Sequence, residues 1–130
     1  MTCAADYVKF LEKLADGGNL SDETFQEMIT PQFEREDSEW RIYEDLPISW
    51  GLGVGLTDDG ALWHWGDNGT FKSFFVIYPG KQARIMHYVC NSRNGLKILP
   101  EMLETFFPTC DEHTEHDILK VPYWIECHYR

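Results

Sequence analysis

The sequence predicts an α+β fold: an antiparallel sheet of three to five strands with helices packed on it, as one α+β layer pair. Three observations carry that prediction. Residues 2–31 hold apolar side chains at helical spacing. The middle of the chain switches to strand-like runs joined by turns too short for crossover helices. A helical pattern returns around Leu99–Phe107.

From Thr2 to Ala15, Tyr7, Phe10, Leu11 and Leu14 recur on one helical face, with Thr2 placed to cap the start and Asp6 in the first turn. Gly17-Gly18 ends this helix. A second helix starts at Ser21 as N-cap, sets Asp22 and Glu23 against the positive end of the dipole, and presents Phe25, Met28 and Ile29 before Pro31 stops it. A charged connector, Phe33 to Pro47, follows. Trp50 to Thr57 then alternates Gly with Leu or Val, and Asp58-Asp59-Gly60 turns the chain into Ala61-Leu62-Trp63-His64-Trp65, which reads as a hairpin. Phe71 to Tyr78 is a second apolar strand, Pro79-Gly80-Lys81-Gln82 a turn, and Ala83 to Cys90 a third strand. A helix after Asn91–Asn94 carries Leu99, Met102, Leu103, Phe106 and Phe107, with Pro100 near its start and Pro108 closing it. The tail is polar through His116 and apolar again over Ile118 to Ile125.

At 130 residues and 43% hydrophobic content, the chain reads as a single domain with a core of its own, bulky because it draws on five Trp, six Tyr and eight Phe. A formal charge of −11 argues against nucleic acid and anionic membranes as partners, since Lys and Arg supply most of the affinity for phosphate. No apolar run approaches the roughly 20 residues that span a bilayer, and Met1 leads into a polar, amphipathic stretch, so a cytoplasmic protein is expected. Four scattered cysteines without an export signal do not suggest a disulfide framework; Cys90 reads as a small apolar residue at a strand end.

Several segments resemble a known family. Thr2 to Leu11, running through Gly17-Gly18 to Ser21-Asp22-Glu23-Thr24 and Met28-Ile29-Thr30-Pro31, is similar to the late helical region of class C β-lactamases, penicillin-binding proteins and related esterases. Trp50-Gly51-Leu52-Gly53-Val54 resembles that family's Tyr-Gly-Leu-Gly-Trp type strand. His64-Trp65-Gly66-Asp67-Asn68-Gly69-Thr70-Phe71-Lys72-Ser73 resembles its His-x-Gly or Lys-Thr-Gly strand and the Gly-Phe-x-Ser that follows. Tyr78-Pro79-Gly80 and Val89-Cys90-Asn91 match later landmarks. The likeness spans residues 1–108 and leaves 109–130 as a tail.

The resemblance implies a partial β-lactamase/transpeptidase-like fold in which His64, Trp65, Gly66 and Asp67 form one wall of a ligand cleft, the Asp67 N–H standing where an oxyanion-hole donor would be. It also implies what is missing. The family's nucleophile comes from a Ser-x-x-Lys helix, and a serine hydroxyl attacks only when a neighbouring base takes its proton. No Ser-x-x-Lys occurs in this sequence, and its one Ser-x-Asn, Ser92-Arg93-Asn94, falls after the His-x-Gly strand instead of before it. Trp65 stands where the family has a small residue and is expected to crowd the cleft. The expectation is a catalytically incomplete module, needing no cofactor, that acts by binding a small molecule or by self-association. The alternative is one half of a split serine hydrolase completed by a partner chain.

In the family, the strand corresponding to Ala83–Cys90 pairs with an N-terminal strand that this sequence does not show, and a flat apolar edge invites pairing. Either the tail, with Ile118-Leu119-Lys120-Val121 and Tyr123-Trp124-Ile125, supplies a substitute strand with Pro122 at an edge, or a second copy covers residues 83–90 in a two-fold homodimer. Three residue readings stay open. Cys110-x-x-His113-x-x-His116, near Cys127-His128, holds ligand types that zinc takes, or is a solvated loop; the first case makes this a small metal-binding protein. His64 replaces a cation facing a substrate carboxylate, or is a strand histidine between two tryptophans. Trp63, Trp65, Phe71, Phe74 and Phe75 line a pocket, or are core.

Overall fold

The computed structural model describes residues 3–32, 48–80, 82–108 and 116–128, with Cys127 and His128 described by their backbone alone. The charged connector, with Phe33 and Pro47 at its ends, lies outside them.

Helix α1 (Ala4–Ala15) is capped by Cys3, one residue after the Thr2 expected there, and the Cys3 thiol donates to the Asp6 carboxylate at 3.2 Å. Its end is built by two glycines in the left-handed region, Gly17 at φ +93° and Gly18 at φ +67°. The Gly18 N–H reaches back to the Lys13 carbonyl at 2.7 Å, satisfying a carbonyl that the helix leaves open. Helix α2 (Asp22–Met28) starts as its sequence indicates, with Ser21 Oγ accepting from the Thr24 N–H at 3.2 Å.

The sheet is a five-stranded antiparallel meander in chain order: β1 (Ile48–Trp50), β2 (Gly55–Thr57), β3 (Leu62–Asn68), β4 (Phe71–Tyr78) and β5 (Arg84–Asn91). The run from Trp50 to Thr57 is therefore not one strand. Gly53 at φ +75° lets the chain reverse, the Gly51 N–H bonds the Val54 carbonyl at 2.9 Å, and the glycines that suggested alternation instead make a turn between two short strands. Gly55 has a second reason to be glycine: a Cβ there would lie 2.7 Å from Cζ2 of Trp63, its cross-strand partner.

Helices cover both faces of the sheet, so the expected layer pair is a three-layer arrangement. The cause is β4, which is apolar on both sides. Phe75 and Ile77 join Leu11, Leu14 and Ala15 of α1, with Phe25 and Met28 of α2 packed against them. Phe74 and Val76 face the opposite way, toward α3 (Leu99–Phe106) and the tail.

The tail corrects a larger expectation. Asp117–Lys120 is a 3₁₀ turn that runs directly into helix α4 (Val121–His128), so no substitute strand forms. Ile118, Val121, Trp124 and Ile125 are all buried, a spacing that puts them on one helical side, and Pro122 sits in the first turn where a missing N–H costs nothing. Strand β5 consequently remains an outer strand, with no ladder partner on its far side among the described residues. No helix among the described residues is long and apolar enough to cross a membrane.

Candidate functional site

Strand β3 organises everything that bears on function. Its ladder with β4 runs from Leu62↔Ile77 to Asn68↔Phe71, closed by a two-residue turn in which Gly69 takes φ +65° and so matches the twist of the strands. Its ladder with β2 is much shorter, covering Gly55↔Trp63 and Leu56↔Leu62. From His64 to Asn68 the side of β3 away from β4 therefore has no strand partner among the described residues. In an antiparallel ladder alternate residues turn N–H and C=O away from the partner strand. Counted from the hydrogen-bonded pair that closes a two-residue turn, those residues are Asp67 and Trp65. Consistent with this, His64 Nδ1 donates to the outward Trp65 carbonyl at 2.7 Å, and by the same parity the Asp67 N–H is an outward donor.

The four residues expected to form one wall share this edge, but their side chains part company because strand neighbours point to opposite faces. His64 stacks on Phe75, with ring centroids 6.4 Å apart. Trp65 packs with Trp50, Trp63 and Trp124 at centroid distances of 5.2–5.9 Å and is also among the residues lining a cleft beside α1. Gly66 is held small by Ser73, whose Oγ would lie 2.6 Å from an added Cβ. Asp67 forms an ion pair with Lys72, directly across the strand pair and itself only 7% exposed. Of the aromatic group, Trp63, Phe74 and Phe75 are core, Trp65 flanks it and Phe71 is exposed.

Two clefts of about 360 Å³ flank the sheet. One, beside α1, is lined by Cys3, Tyr7, His64, Ser73, His87 and Val89 among others. The His87 ring lies 4.6 Å from Tyr7, its Nδ1 is buried without a hydrogen-bond partner among the described residues, and burial holds its pKa below the usual imidazole range against a smaller opposing pull from the Ala4 backbone. The imidazole is thus neutral at pH 7. The other cleft opens beside α3 and α4 over the Asp67–Lys72 pair, and is rimmed by Arg93 and Lys97.

Cys110 and His113 lie outside the described residues, as do the side chains of Cys127 and His128. Among the described residues no group of three or more His, Cys, Asp and Glu is placed to hold a metal ion. His116 is described, and its ring meets Asp59 and Arg84. Its Nδ1 is 3.6 Å from Asp59 Oδ2 and its Nε2 is 3.4 Å from the Arg84 guanidinium.

That contact belongs to a clasp the sequence reading missed. The Asp59 N–H donates to the Asp117 carboxylate at 3.0 Å, and the Asp117 N–H donates to the Asp59 carboxylate at 3.1 Å. The Tyr78 hydroxyl adds a bond to Asp59 at 2.8 Å; burial first, then this bond, push the Tyr78 pKa far up. Lys72 was missed as well. Its signal was present, since in Phe71-Lys72-Ser73-Phe74 alternation puts Lys72 on the face of Phe74 and Val76, where a cation needs a partner. Comparison with family models, curated proteins and solved structures finds no match to this chain.

Proposed function

We propose that this chain is a β-lactamase-like module that carries no nucleophile motif of its own and works by binding, with residues 64–68 of β3 as its recognition edge. The observation that carries the reading is the mismatch in ladder length: β3 continues to Asn68, whereas its pairing with β2 ends at Trp63. An outward Asp67 N–H on such an edge offers a carbonyl oxygen one donor. One donor without an activated hydroxyl holds a carbonyl and does not cleave its bond. Self-association through β5 is the companion mode, because that eight-residue outer strand keeps Val89 51% exposed.

The test is a titration of the isotopically labelled chain with a β-lactam, following the amides of residues 64–68, alongside a chromogenic β-lactam assay and a fluorophosphonate serine probe. Shifts centred on Gly66 and Asp67 with neither turnover nor labelling are expected. Turnover abolished by a single Ser→Ala change, or shifts confined to other parts of the chain, would refute the reading. The split-hydrolase alternative draws on the same open edge and differs in its prediction: turnover emerges when a chain bearing Ser-x-x-Lys is added.

A further inference from the structure

The cleft beside α3 and α4 has the composition of a site for a small organic anion. Its floor is the cross-strand pair Asp67–Lys72. Lys72 is buried, and Asp67 is the group to which its ammonium donates a hydrogen bond among the described residues. An ammonium carries three donors, so two remain beyond the bond to Asp67, on the floor of the cleft. The lysine stem is fixed in place. The chain at Gly95 crosses so close that a Cβ there would lie 3.0 Å from Lys72 Cγ and would collide with the Cys90 sulfur, so the Gly95 backbone and the lysine pack directly on each other.

The rim adds two cations, Arg93 and Lys97, both exposed and neither in an ion pair among the described residues. Against the chain's charge of −11 and its eleven Lys and Arg, bringing three of them to one cleft is a local reversal of sign. Asn94 adds a polar side chain, and Leu96, Leu99, Pro122 and Ile125 make an apolar part of the lining. Asp67 and Glu126 are the two carboxylates present, so the lining is one positive charge in excess, enough for a monoanion and short of what a dianion needs.

We propose that this cleft binds a small apolar carboxylic acid, its carboxylate meeting Lys72, Arg93 and Lys97 and its hydrocarbon part lying on Leu96, Leu99 and Ile125. At about 360 Å³ the cleft is at the small end of ligand pockets, which run from roughly 300 to 1,000 Å³. The proposal shares Asp67 with the β3 edge but draws on its side chain and others on the α3 and α4 face, not on outward backbone groups, and its test leaves residues 64–68 unchanged.

The experiment is calorimetric and NMR titration of the full chain with 4-phenylbutyrate, its neutral amide and inorganic phosphate, repeated on the Arg93→Gln, Lys97→Gln double variant. Both substituted residues are exposed, so the variant keeps its fold, which its amide spectrum verifies. The acid is expected to bind at least about tenfold tighter than the amide, and the double variant to lose most of that preference while binding the amide as before. Amide shifts should centre on Leu96, Lys97, Ile125 and Glu126. Equal affinity for acid and amide, an unchanged preference in the double variant, displacement of the acid by less phosphate than acid, or no shift at those amides up to about 10 mM would each overturn it.

Discussion

The reciprocal bonds between Asp59 and Asp117 tie the start of the tail to the β2–β3 turn across 58 residues of sequence, and they make a sharp prediction. Asp117→Ala removes the acceptor of the Asp59 N–H. Hydrogen bonds to charged groups contribute roughly 1.5–3 kcal/mol, and this site is partly open, with the two side chains 27% and 17% exposed, so a loss of about 1–2 kcal/mol follows. For a chain of this size that lowers Tm by roughly 3–10 °C. Asp117→Asn keeps an acceptor and deletes a charge that the site disfavours. Burial first, then the neighbouring Asp59 charge, raise the Asp117 pKa. At Asp59 burial pulls upward as well, but the hydrogen bonds from Thr57, Tyr78 and the Asp117 and Ala61 backbones together hold it low. The asparagine variant should therefore match or exceed the native chain at pH 7. The signs with pH are opposite for the two groups. Asp117 has a folded pKa above its unfolded one, so its penalty is present at neutral pH and is relieved as pH falls through the folded value. Asp59 has a folded pKa below its unfolded one, so its contribution is full above the unfolded value near 3.8 and is lost as pH falls through the folded one. Urea and thermal unfolding of the three proteins from pH 7 to pH 3 read this out. The advantage of Asp117→Asn should shrink as the pH drops; equal losses for Ala and Asn at pH 7, or a pH-independent gap, refute the clasp.

Other predictions concern packing and assembly. Trp124→Ala, which empties a buried indole in contact with Trp50, Trp63 and Trp65, should cost roughly 3–5 kcal/mol and release the tail to protease; a tail that stays protected argues against α4 as core. Gly55→Ala drives a methyl into the Trp63 ring and should destabilise by about 1–3 kcal/mol in urea, with a silent result contradicting the ring's position. Sedimentation at increasing concentration should show a reversible dimer that Val89→Lys, a charge placed on the outer strand β5, pushes to monomer; a native chain monomeric at about 100 μM removes self-association through that edge.

What was legible in the sequence follows from how unambiguous each period is. Phe71–Tyr78 and the strand ending near Asn91 are long enough, and bounded closely enough by Gly69 and Gly80, for a strand reading to hold within a residue or two. Ser21 announced α2 because its side chain satisfies a donor that any helix start leaves open. The glycine-rich stretch failed for a physical reason: Leu52, Val54 and Leu56 alternate whether the chain is extended or reversed at Gly53, and only φ +75° decides. The number of layers was readable in principle, since Phe74-Phe75-Val76-Ile77 has no polar side to expose.

The tail expectation failed because short apolar runs report burial before they report geometry. Ile118, Val121, Trp124 and Ile125 fit a helical stripe, while Ile118-Leu119 and Tyr123-Trp124-Ile125 also have the β-branched and aromatic content of a strand. Pro122 breaks the tie: inside a strand it deletes a ladder bond, whereas in the first turn of a helix it deletes nothing. The same parity argument applies to residues 64–67. A motif read as a string puts His64 and Asp67 together, but three steps along a strand place two side chains on opposite faces, His64 with Phe75 and Asp67 with Lys72. What those four residues share is backbone on an edge with no second ladder partner among the described residues. Any chemistry assigned to them as a group has to run through N–H and C=O, and chemistry that needs side chains has to be sought separately in each cleft.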